Sequence, residues 1–338
     1  MDIFIKSFNR PYYLDRCIES IVKNIYNGEY SIIILDDGTQ QKYLDKIKSK
    51  YENISILKSE YYDSKVKKIN DFIEQGTEIN NMVIPAAFWK KSIKSSKENY
   101  ILVLEDDFWI TERIDLTETI EIMRQHEMPF MKLFYFNNHR FLCGKIKNVN
   151  NKISSLKPEF KISSPFIVKN VILKNKFRSF SILQRLGIVN YNIKFDYYTL
   201  YSVAGAIYTK QYYDVLWENS HDIVNEELQL CNAYDDYYKN KKRSLIGFFS
   251  TDVVNTSFSS SATNMFSHIN LNVYQYNHEL NESWYNGKFN PMKGYPKDID
   301  DSEIVGVLND SKIVKIEEWK KWKSFFLKQY TDIGISNE

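Results

Sequence analysis

Three carboxylates stand side by side at Glu105, Asp106 and Asp107, directly after the apolar run 101–104. Like charges this close repel, and an apolar setting makes each one costlier. Such a cluster is tolerable where a divalent cation or a positive ligand neutralises it. Mg2+ and Mn2+ take oxygen ligands and often bind through one or two carboxylates plus substrate phosphates. An isolated acidic triplet is more often a solvated turn; here its company argues otherwise. LDDGT (35–39) ends another apolar run. Asp37 there can accept an N–H from a nucleobase and Gly38 permits a tight turn, although an Asp-Gly turn before a helix uses the same residues. KSFNRP (6–11) follows a third run and offers donors, Arg10 among them, suited to phosphate or nucleobase.

These residues need strands to carry them. IFI (3–5), IIIL (32–35), ILVL (101–104) and KLFYF (132–136) are continuous rather than alternating apolar runs, as in strands covered on both faces. Helical spacing lies between them: Leu14, Ile18, Ile21, Val22 and Ile25 within 12–26, then Leu44, Ile47 and Tyr51. Further helices are expected within 82–97 and over 116–125. The alternation predicts an α/β fold with a mostly parallel sheet, whose ligands bind outside the carboxyl ends of the strands. In extended geometry Glu105 and Asp107 share one side and Asp106 takes the other.

The second half is less regular. Residues 140–200 read as an insertion, 201–210 and 244–249 as strands, and 211–218 and 222–239 as helices. SFSSSATN (257–264) reads as a mobile loop. In 312–330, Ile316, Trp319, Trp322, Phe326 and Tyr330 recur at helical spacing among lysines. That helix either packs its aromatic face on the domain with lysines reaching outward, the favoured reading, or lies on a membrane surface. The expected division is 1–138, 139–270 and 271–338.

Composition bounds the function. With 43% apolar and 26% charged residues and a net charge of +2, the chain is a globular protein with no bulk attraction for nucleic acid. Cys17, Cys143 and Cys231 have no paired spacing, which argues against a disulfide framework or a zinc site and fits a reducing compartment. The N-terminus has no signal-peptide pattern and no apolar run nears the ~18 residues of a span. A cytoplasmic protein is expected, with peripheral membrane contact through 312–330 as the variant.

IFIKSFNRPYYLDRCIESI, SIIILDDGT and NYILVLEDD, in this order and spacing, resemble the opening of GT-A glycosyltransferases, family 2 above all. The triplet is similar to the EDD form of the DxD motif in N-acetylglucosaminyltransferase I-like enzymes. The resemblance implies a GT-A, Rossmann-like fold and a hexosyl- or N-acetylhexosaminyltransferase using a nucleoside-diphosphate sugar, a UDP-sugar foremost, with a glycan or lipid-linked acceptor. It places Asp37 on the base, with Ser7, Phe8 and Arg10 lining that pocket. It puts Asp106 on the ribose or donor sugar, Asp107 on Mn2+ or Mg2+, and Glu105 near the donor sugar. Pro85 and Phe88 depart from the family 2 pattern, which leaves the donor open.

An inverting transfer needs a base opposite the leaving group, hence from the second half. Asp235 and Asp236, flanked by aromatics in AYDDYY, are the leading pair, Asp236 first; Glu226 and Glu227 are the other. His268 is the expected extra metal ligand by resemblance, against a packing role, and His139 a candidate acceptor contact. Two other readings compete: a sugar nucleotidyltransferase, disfavoured because KSFNRP has no glycine, and a non-catalytic nucleotide- or glycan-binding protein.

Overall fold

The computed structural model describes residues 1–79, 82–220, 223–240, 245–332 and 334–335. Strands and helices alternate through β1 (Asp2–Ser7), α1 (Pro11–Asn24), β2 (Ile25–Tyr26), β3 (Ser31–Asp36), α2 (Gln41–Lys50), β4 (Ile54–Lys58), α3 (Tyr62–Gln75), α4 (Ala86–Lys94) and β5 (Tyr100–Glu105). There follow β6 (Phe108–Ile110), β7 (Ile114–Asp115), α5 (Leu116–Gln125), β8 (Phe130–Lys132) and the hairpin of β9 (Gly144–Asn148) and β10 (Ile153–Pro158). Beyond it lie α6 (Ser179–Arg185), α7 (Ile193–Tyr197), β11 (Ala206–Thr209), α8 (Lys210–Leu216), α9 (Glu226–Lys239), β12 (Ile246–Phe249) and β13 (Val254–Thr256). Three helices close the chain: α10 (Val273–Tyr285), α11 (Asp301–Leu308) and α12 (Ile316–Thr331).

Nine strands form one sheet in the order β4-β3-β1-β5-β11-β8-β12-β10-β9. The four strands from β4 to β5 are parallel, as is the β8–β12 pair, while β11 runs antiparallel to both β5 and β8. This is the α/β architecture the alternation predicts. The register sets Ser7 beside Asp36 and Lys6 beside Glu105, so three polar strand ends lie level. α1 starts with Pro11, a residue suited to a first helical turn, and buries Tyr12, Leu14, Cys17, Ile18 and Ile21 against the sheet. α5 starts where the Asp115 carboxylate accepts from Glu118 N at 3.0 Å.

Three expectations change, and the favoured reading of the last helix holds. β4 and α3 escaped the periodicity because β4 is a half-exposed edge strand and α3 buries only Tyr62, Lys65 and Ile69. The fourth strand stops at Lys132, short of 136, and the chain then turns through Phe136 and Asn137 at left-handed φ of 58° and 46°. The serine-rich loop is an ordered core element: Ser257, Ser259, Ser260 and Ser261 are buried. There Ser260 Oγ donates to Asn277 Oδ1 at 2.9 Å and receives from Tyr12 Oη at 3.0 Å. Polar residues suggest a mobile loop only until they find partners. Lastly, α12 buries Trp319, Trp322 and Phe326, with indole donors on Ser259 O (3.0 Å) and Asn264 O (2.9 Å). Its aromatic face is thus consumed by the domain, the packing alternative. No helix among the described residues is long and apolar enough to cross a membrane. Residues 222 and 244, the first positions of two expected elements, lie outside the described residues.

Candidate active site at the strand ends

The acids of the triplet do not alternate, because β5 ends at Glu105 and a turn follows. Asp106 and Asp107 instead share one cation. The buried guanidinium of Arg10 donates through Nη1 to Asp107 Oδ2 at 2.9 Å and through Nη2 to Asp106 Oδ1. Asp106 also accepts from Phe8 N at 3.1 Å, and its own N–H donates to Lys6 O at 2.9 Å. Burial pushes the Asp106 carboxyl up to about 7, against the pull of Arg10. Glu105 faces Lys6 Nζ at 3.6 Å, with Lys6 also 4.9 Å above the Trp89 ring. Arg10 is therefore a counter-ion that organises the acids, a contact its loop position did not suggest.

Two cations against three carboxylates leave the cluster short of positive charge. One buried oxygen, Asp107 Oδ1, has no hydrogen-bond partner at all. An orphaned carboxylate oxygen in a site with excess negative charge fits an oxygen-seeking divalent cation bridging to a phosphate. Among the described residues no group of three or more His, Cys, Asp or Glu side chains surrounds a metal position. His268 is exposed and meets the Phe325 ring edge-on at 4.5 Å and Phe266 at 6.2 Å.

At the end of β3 the acids are differently placed. Asp36 Oδ1 accepts from Gly38 N (3.0 Å) and Thr39 N (2.8 Å), shaping the turn, and Thr39 Oγ1 accepts from Asn9 N at 3.0 Å. Gly38 is required there: at φ 145° a Cβ would come within 2.9 Å of Phe8 Cε2 and 3.0 Å of Lys65 Cβ. Asp37 is buried, with Oδ2 on Lys65 Nζ and Oδ1 on Ser59 Oγ. Lys65 was missed from sequence, although its place between Tyr62 and Ile69 on the buried stripe of α3 was a signal. Ser7 Oγ is buried and unpartnered at the end of β1, and Phe8 lies edge-on to Tyr274 at 6.4 Å.

The acids of α9 divide between its ends. Asp235 and Asp236 lie near its C-terminus, where Asp235 pairs with Lys169 at 2.7 Å. Asp236 accepts from Asn240 Nδ2 at 3.1 Å and its charge acts on Tyr212. Tyr212 stacks on Phe130 at 5.5 Å, at the start of β8 and so at the opposite end of the sheet from the triplet. Burial raises the Asp236 carboxyl. Glu226, in the first turn of α9 and roughly 15 Å away along its axis, receives Tyr198 Oη at 3.3 Å. The strand-end side of α9 is held in place by a buried lysine. Lys132 Nζ donates to Tyr198 O (2.9 Å) and Tyr201 O (2.8 Å), and Tyr201 Oη bonds Gln229. His139 lies in a single helical turn 6.5 Å from the Tyr135 ring. A cavity of about 750 Å3 lies elsewhere: Met1, Ser31 and Ile54 line it at the amino ends of the parallel strands, away from the triplet.

Residues 2–78, from β1 through α3, match the family described as glycosyl transferase family 2. No curated protein sequence matches the chain. Among solved structures, residues 1–349 of S. aureus TarS in complex with UDP-GlcNAc superpose with a TM-score of 0.41 and 14% identity, covering 98% of this chain and 72% of that one. The same TarS fragment alone gives 0.39 and 12%, covering 98% and 72%. The galactosyltransferase LgtC in complex with donor and acceptor sugar analogs gives 0.35 and 11%, covering 86% of this chain and all of that one. The family match takes in Asp37, Lys65 and Arg10 but ends before the acidic triplet, which β5 brings to the same place.

Proposed function

We propose that the protein is a nucleotide-sugar-dependent glycosyltransferase whose donor diphosphate lies beside Asp107. The observation that carries this reading is the unpartnered, buried Asp107 Oδ1 next to Arg10, whose Nη1 and Nη2 are spent on Asp107 and Asp106, at the level ends of three strands. The family match over the first of those strands supports it. Asp37 and Ser7 would face the nucleobase, with Phe8 as a wall; Asp106 and Glu105 would lie along the ribose and donor sugar. A divalent cation on Asp107, Mn2+ or Mg2+, would supply charge to stabilise the leaving nucleoside diphosphate. Arg10 fixes where Asp107 points, and Lys65 fixes Asp37.

For the acceptor, Glu226 replaces Asp236 as the proposed base, because it shares the strand-end side of the sheet. The acceptor oxygen attacks the anomeric carbon as its proton passes to Glu226. The bond from that carbon to the diphosphate oxygen breaks, and its electron pair leaves with the nucleoside diphosphate. This inverts the anomeric centre. Tyr198, bonded to Glu226 and itself held by Lys132, orients the carboxylate.

A thermal-shift panel of UDP, GDP, CMP and TDP with Mn2+ or EDTA tests the reading. A nucleotide that binds the native state stabilises it by RT ln(1 + [L]/Kd). The expected result is a shift with one diphosphate, UDP first, that EDTA abolishes; no metal-dependent shift with any of them would reject it.

A further inference from the structure

Between Glu159 and Asp196 the chain carries seven lysines and arginines and no acid, in a protein that overall sets 45 cations against 43 anions. Most of this stretch folds as one unit. The helical turns Ile167–Leu173, a single turn over Lys176–Arg178, and α6 pack on one another. On the inside, Val168, Ile172, Leu173 and Phe180 are buried. Asn175 ties the turn to α6, its Nδ2 donating to Ser181 Oγ at 2.9 Å and its Oδ1 accepting from Ser181 N at 3.2 Å. On the outside, the same unit leaves Phe166 71%, Phe177 96%, Leu186 66% and Ile188 65% exposed. Helical spacing puts Ile182, Arg185 and Leu186 on one side at the end of α6, and all three are exposed. Single exposed apolar residues are ordinary, whereas a group of large ones on one packed unit marks a surface that something covers.

The charges say what covers it. Lys169 pairs with Asp235 at 2.7 Å and Lys194 lies 5.0 Å over the Phe180 ring, so those two serve the fold. Among the described residues no ion pair takes up Lys161, Lys174, Lys176, Arg178 or Arg185. We propose that this face is a membrane-docking surface: Phe177, Leu186 and Ile188 enter the interface of a bilayer while the cations around them meet anionic lipid headgroups. The stems of those cations lie along the apolar side chains and carry the charged heads to the phosphates. A second copy of the chain fits the face poorly, because a two-fold contact sets like charges against each other. A nucleic acid would use the cations and leave the apolar side chains in water. The proposal stands apart from the glycosyltransferase reading. It moves membrane contact away from α12, whose aromatic face the domain has used, to residues 161–191.

The test is flotation of the full chain with vesicles of phosphatidylcholine, alone or mixed with phosphatidylglycerol. The wild type should bind the mixed vesicles about 10-fold or more tightly than the neutral ones, a difference that shrinks as salt rises. Phe177→Ser with Leu186→Ser keeps every charge and should weaken binding to the mixed vesicles by about 10-fold or more. Lys176→Glu with Arg185→Glu keeps the apolar group and should remove the preference for the anionic lipid. All four positions are exposed, so neither variant should shift Tm. A wild-type chain that binds neither kind of vesicle would overturn the proposal, as would undiminished binding by the serine variant. A dimer seen by sedimentation velocity and lost in the serine variant would also overturn it, giving the face to a second copy of the chain.

Discussion

Asp37 and Asp107 look alike in sequence: each is the second aspartate of a DD pair after an apolar run. Their surroundings are opposite. Asp37 has both oxygens committed, one to Lys65 and one to Ser59, from the segment following β4. Asp107 has one oxygen on Arg10 and one with no partner. The first carboxylate is finished by the fold, and the second keeps one oxygen unspent. Residue type alone does not separate these two acids, while the unspent oxygen of Asp107 does.

The sharpest way to break this comparison is to remove each acid's charge. Asp107→Ala should lower turnover about 1000-fold and make nucleotide binding indifferent to Mn2+, as read by calorimetry with and without EDTA, with little change in Tm. Equal metal dependence in the variant would mean that the open oxygen is not a ligand. At Asp37 the larger effect should fall on the fold. Lys65→Met strands a buried carboxylate, and breaking such a pair costs about 3 kcal/mol or more. Urea denaturation should show that loss, and Asp37→Asn in the same background should recover part of it. A Lys65→Met variant as stable as wild type would erase the distinction.

The two ends of α9 give the same comparison at smaller scale. Glu226→Gln should cost about 100-fold in kcat with UDP affinity intact, whereas Asp236→Asn should leave turnover close to wild type. The reverse ranking would restore Asp236 as the base. Sequence favoured Asp236 for its aromatic neighbours, and its burial does raise its pKa. What the sequence could not express is that a 14-residue helix has two ends facing different sides of the sheet.

That pattern runs through the chain. The parallel strands and their level polar ends were legible because buried strands need uninterrupted apolar runs, and IIIL and ILVL have no other use. The partners were not legible, since Arg10, Lys65 and Lys132 acquire their carboxylates and carbonyls from segments distant in sequence. SFSSSATN misled for a related reason: its hydroxyls read as solvent-seeking, yet Tyr12, Asn277 and Asp298 satisfy them in the interior. α12 was legible as a packing helix through Trp319, Trp322 and Phe326.

A third strand-end acid extends the comparison and yields the smallest effect. Asp252, just past β12, is closed off by backbone: it accepts from Tyr135 N at 2.8 Å and Asn137 N at 2.6 Å, which holds the left-handed turn at Phe136. Burial nevertheless pushes its carboxyl up to about 6, the two amides and Lys132 opposing that rise without cancelling it. An unfolded aspartate titrates near ~3.9, so between about pH 4 and 6 the folded chain binds more protons than the unfolded one. This acid's contribution to stability must then fall as pH rises through that window. Lys132 behaves oppositely at higher pH. Burial lowers its amine to about 7, against an unfolded value near ~10.4, so its contribution rises from about pH 7 upward. Asp252→Asn removes one slope and keeps the other. Urea unfolding at steps from pH 4 to 9 should show the wild-type decline between 4 and 6 lessened in the variant, the share of the raised Asp106 carboxyl remaining, with the rise above 7 retained. If the variant instead keeps the full decline below pH 6, the two amides already hold Asp252 ionised in the folded protein. It would then belong with Asp37, as a carboxylate the fold has finished.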